Sequence, residues 1–111
     1  MSGTLLIVAP AVNSRFRHWL SDSDDARRAA EERLHVSVDR FQRAGFRVEG
    51  HVGDPDPAQA IGDALALVDA DAIVIVTPPS EHRFPLEYVR DCFALPIVHV
   101  VIEPEVLHAA A

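Results

Sequence analysis

The chain is 111 residues long, 49% hydrophobic and 24% charged, with a formal net charge of −7. By size and composition it is one soluble globular domain, 1–111, and its acidic balance argues against a nucleic-acid partner. The single cysteine, Cys92, excludes an internal disulfide and a cysteine-based zinc site, and no apolar run approaches the roughly 18 residues that cross a bilayer.

The sequence contains no lysine; all ten basic residues are arginines. That excludes a P-loop lysine, a Schiff-base lysine and the lysine of a receiver domain. Met1 to Thr4 carries no basic residue ahead of the short apolar run that follows, so no signal peptide is read and a cytoplasmic location is expected.

Leu5 to Ala9 is the first strand, ended by Pro10. It is apolar without alternation, the pattern of a strand buried on both faces. A loop runs to about Asp24, and Ser21 to Asp25 opens a helix with short polar residues that can accept free backbone N–H groups. Ala26, Ala30, Leu34, Val38, Phe41 and Ala44 form its apolar stripe, and Gly45 ends it. Phe46 to Val52 alternates apolar and polar, so it reads as an edge strand.

Gly53 to Pro57 is a turn, with Asp56 as N-cap, Pro57 at the first helical position and Gln59 completing a capping box. Ile61, Ala64, Leu65 and Val68 form the buried face of the second helix. Ala72 to Val76 is a second fully apolar strand, halted by Thr77 and two prolines. A short helix from Pro85 buries Leu86, Val89 and Phe93. Ile97 to Ile102 is the last strand, and 103–111 is a polar exit with an alanine-rich tail.

Alternating strands and helices with right-handed crossovers give an α/β fold: a three-layer α/β/α, Rossmann-like sandwich on a four-stranded parallel sheet. The two most apolar strands belong in the centre, so the expected order is 2-1-3-4. The chain then changes direction between the first and third strands, and open α/β sheets bind ligands at that switch point.

Two loops border the crevice. Pro10 to His18 supplies Asn13, Ser14, Arg15, Arg17 and His18; Thr77 to Arg83 supplies Thr77, Ser80, His82 and Arg83. Arginine forks bond two oxygens at once, so this set suits a small anion such as phosphate on a nucleotide. The bland reading is solvated charge pairing with Asp22, Asp24, Glu81 or Glu87. Gly53 and Asp54 are a second candidate, with plain turn chemistry as the alternative. His99, inside an apolar strand, reads as a core or interface histidine with a satisfied hydrogen bond. Cys92 reads as a small buried hydrophobe. No His-x-x-x-His pair or Gly-x-Ser-x-Gly elbow occurs, so no metal site and no catalytic residue are proposed.

The segments LLIVAP (5–10), VEGHVGDPDPAQAI (48–61), DADAIVIVT (69–77) and PIVHVVIEP (96–104) resemble the universal stress protein family. The resemblance implies a ligand-sensing or partner-binding module of the stress response, without enzymatic activity of its own. It also implies a homodimer formed through the edge strand Ile97 to Ile102.

This chain departs from the family pattern. One of the family's usual strands is missing. Pro10 and Ala11 stand where ATP-binding members carry aspartate, and no glycine follows Gly62 where they carry a glycine-rich phosphate cradle. No cofactor is therefore expected, and ATP binding by the family's usual motif is not implied. Two alternatives remain open: a nucleotide- or phosphometabolite-binding protein using the arginine and histidine loops, and a small hydrolase with His18 or His82 as base.

Overall fold

The computed structural model describes residues 3–11, 23–79 and 85–102, with 23–26 as backbone only. The described elements are β1 (Thr4–Pro10), α1 (Ser23–Arg43), β2 (Arg47–Gly53), α2 (Pro57–Leu65), β3 (Ala72–Thr77), α3 (Leu86–Cys92) and β4 (Ile97–Val101). All neighbouring strands are parallel and the sheet order is β2-β1-β3-β4.

The two most apolar strands, β1 and β3, are the central ones, as their composition requires. Leu6, Val8, Ile73 and Ile75 face α2 and α3 and pack with Ala60, Ile61, Ala64, Val89 and Ile97. Ile7, Val74 and Val76 face the other way and pack with Leu34, Val38 and Phe41 of α1. Each fully buried aliphatic side chain contributes roughly 1.5–3 kcal/mol. The single helix on one face and the pair on the other follow from right-handed crossovers that run first one way across the sheet and then the other.

The C-terminus of α1 is a complete left-handed stop. Gly45 has φ 100°, its N–H donates to Gln42 O, and Phe46 N–H donates back to Phe41 O. The rings of Phe41 and Phe46 meet edge to face at 5.8 Å, which is the apolar contact that accompanies this motif. At the start of the sheet, Asp71 accepts a 2.7 Å hydrogen bond from Thr4 N–H, and its own N–H donates to Thr4 O.

The buried seam of α1 differs from the apolar stripe read in sequence. Ala30, Arg33 and Ser37 are its most buried residues, whereas Ala44 is exposed. Their spacing of three and four places them on one face, above the sheet centre. Ser37 Oγ is buried and has no hydrogen-bond partner among the described residues. A buried hydroxyl left unpaired costs about 1–3 kcal/mol, so Ser37→Ala is expected to raise stability by about 1 kcal/mol. A urea midpoint at or below the parent's would refute this.

Two further expectations are corrected. Gln59 does not complete a capping box; its side chain donates to Asp63 Oδ1 at 2.9 Å, one turn on. Asp56 is the cap alone, accepting from Ala58 N–H at 3.0 Å. Cys92 is exposed rather than buried, because Val89 is the residue of α3 that turns inward.

Candidate functional site

The hydrogen-bonded ladder between β1 and β3 stops for a reason written in two prolines. Gly53 O accepts from Ala11 N–H at 3.0 Å. Backbone groups alternate sides along a strand, so Pro10 O points the other way, toward β3. The last paired residues there are Val8 and Ile75. Continuing that register, the next donor to Pro10 O would be the N–H of residue 78, which is a proline and has none. The ladder ends there.

Arg33 supplies the missing donor. Its guanidinium Nη2 donates to Pro10 O at 3.2 Å, and the residue is 2% exposed. An arginine on the sheet-facing side of a helix buries its alkyl stem among apolar neighbours while its head reaches the strand end. The apolar stripe read in sequence did not include this arginine. The available signal was position: 30, 33 and 37 share one helical seam.

On the other face, Thr77 ends β3 with 0% exposure, and its Oγ1 lies 2.7 Å from His99 Nε2. His99 is half-buried on β4 and has the hydrogen bond expected of it. Because the Thr77 hydroxyl can donate or accept, the contact is compatible with either ring tautomer.

Of the other residues read as crevice groups, Asn13, Ser14, Arg15, Arg17, His18, Ser80, His82 and Arg83 lie outside the described residues. Gly53 and Asp54 are described and sit elsewhere. Gly53 pairs with Pro10 on the far side of β1, two strand spacings (roughly 10 Å) from Thr77.

Gly53 is not needed for a bend. A Cβ there would lie 2.6 Å from Ala60 Cβ, so glycine is what lets α2 close onto β2. Asp54 makes an Asx turn, its Oδ1 accepting from Asp56 N–H at 2.9 Å. Both line a groove of about 540 Å³ between the outer end of β2 and α2, together with His51, Asp63, Leu67 and Arg27 of α1.

Tyr88 and Cys92 sit one turn apart on α3. A hydrogen bond between their side chains, followed by the charge Cys92 can carry, raises the Tyr88 pKa above its ordinary value. Tyr88 is the sole tyrosine, so its absorbance titration is unambiguous. Cys92→Ala is expected to move that titration to lower pH; an unchanged midpoint would discount the contact.

Among the described residues no group of three metal-ligating side chains occurs, and no helix is long and apolar enough to cross a membrane. The sheet order, with helices on both faces, defines a doubly wound α/β domain, a class in which ligands bind at the switch point. Compared with family models, curated proteins and solved structures, the chain finds no match.

Proposed function

We propose that this chain is a universal stress protein-like, non-enzymatic module that binds a small anion or a partner in the stress response. The observation that carries the reading is the switch point between β1 and β3, where the ladder stops at Pro10 and Pro78 and a guanidinium stands at the strand end. The four segments that carry the resemblance correspond to β1, to β2 with α2, to β3 and to β4. Thr77 is wholly buried, which keeps its hydroxyl from solvent.

The proline that ends the ladder also removes an N–H that a phosphate would need. Recognition of an anion therefore falls to side chains, with Arg15 and Arg83 as the nearest loop arginines in sequence. Thermal unfolding should be followed with ATP, ADP, inorganic phosphate and sulfate in turn. A ligand at a hundred times its dissociation constant stabilises by about 2.7 kcal/mol, and Arg15→Ala with Arg83→Ala should abolish the shift. No shift from any of these anions would remove the anion reading.

The homodimer is proposed through β4. Val98 and Val101 are 51% and 52% exposed, and an uncharged edge with no neighbouring strand among the described residues invites another strand. The opposite edge, β2, carries exposed Arg47 and Glu49. Light scattering should show a dimer that Val98→Arg converts to monomer. A monomeric parent at high micromolar concentration would refute it.

A further inference from the structure

We infer that the outer edge of β2 accepts an extended peptide, with an aliphatic residue seated on α2 and a lysine or arginine two positions away meeting Asp63. This site is separate from the crevice and does not rest on the reading above. The backbone sets the geometry. Gly53 O bonds to Ala11 N–H, so the odd residues of β2 turn their backbone groups toward β1. Val48, Gly50 and Val52 turn theirs outward. These outward groups have no partner among the described residues. They recur at about 6.6 Å intervals, a spacing that only another extended chain matches group for group.

Beside Val52 lies the 540 Å³ groove, floored by Ala60 and Ala64 of α2. Leu67 stands at its margin, 76% exposed. Small residues in the floor and a free leucine at the margin fit one aliphatic side chain of an added strand. The next side chain on that same face falls two residues away. Asp63 meets it there. Its Oδ1 holds Gln59, and its other oxygen has no donor among the described residues. Arg27, on the α1 side of the groove, disfavours a second cation there. The net charge of −7 favours a basic segment throughout. Arg47 and Glu49 guard the first half of the edge against indiscriminate pairing.

The probe is a short peptide carrying a valine and a lysine two positions apart, with threonine at the intervening positions, titrated into the isotopically labelled chain. The expected result is saturable shifts at Gly50 and Val52 with slowed exchange of both amides. The same peptide N-methylated at alternate positions, which cannot form the ladder, should not bind. Asp63→Lys and Leu67→Ser alter exposed positions that the fold does not need. Asp63→Lys should weaken binding about fivefold, since an exposed pair contributes up to about 1 kcal/mol and its reversal adds repulsion. Three results would overturn the inference: unprotected amides at saturating peptide, equal binding of the N-methylated peptide, or amides already protected in a dimer without peptide.

Discussion

Replacing Arg33 by alanine is expected to destabilise the domain by about 3–4 kcal/mol. The change removes a charged donor from Pro10 O and strips the stem that fills the space under α1. Arg33→Met keeps most of the stem and should cost about 1–2 kcal/mol, the penalty of an orphaned buried carbonyl. The link to Pro78 makes the test specific. Pro78→Ala restores an N–H at the position where the ladder calls for one. In the Arg33→Met background it should recover about 1 kcal/mol, whereas in the parent it has little left to satisfy. Additive effects in this cycle, read from urea unfolding, would refute the idea that Arg33 substitutes for a missing rung.

The second large effect is expected at Gly53. Gly53→Ala places a methyl group 2.6 Å from Ala60 Cβ, well inside contact distance, with α2 backbone at 3.2 Å behind it. Neither neighbour is a flexible side-chain end, so the helix must move off the sheet. Overpacking of this kind costs about 1–3 kcal/mol. Ala60→Gly alone costs about 1 kcal/mol for glycine in a helix. Combined with Gly53→Ala it should cost less than the sum, because the 2.6 Å contact is gone and only the 3.2 Å backbone approach remains. If Gly53→Ala proves neutral, the close approach of α2 to β2 is wrong. The substitution also reports on the groove, since Gly53 and Ala60 both line it.

These two positions show where sequence reading stops. Arg33 is polar, and an amphipathic pattern assigns a polar residue to solvent. Its burial depends on a carbonyl left without a donor by a proline forty-five positions away in the chain. Gly53 sits in Gly-Asp-Pro-Asp-Pro, where turn chemistry accounts for it locally. Its actual constraint is a helix residue brought back by the fold. Neither reason can be read from neighbouring residues. The anion loops stand differently: most of their side chains lie outside the described residues, and Thr77, which is described, has its hydroxyl engaged with His99.

What the sequence determined on its own is the architecture. The two most apolar runs belong at the centre of the sheet and an alternating run at its edge. The order expected on that ground, β2-β1-β3-β4, is the order found. Gly45 and Asp56 ended and began their helices by local geometry alone. Tertiary structure decided which groups meet. Arg33 joined Pro10, Thr77 joined His99, and Gly53 made room for Ala60. The physical reason is range. Strand and helix patterns repeat within a few residues, whereas a hydrogen bond or a collision depends on where distant elements come to rest.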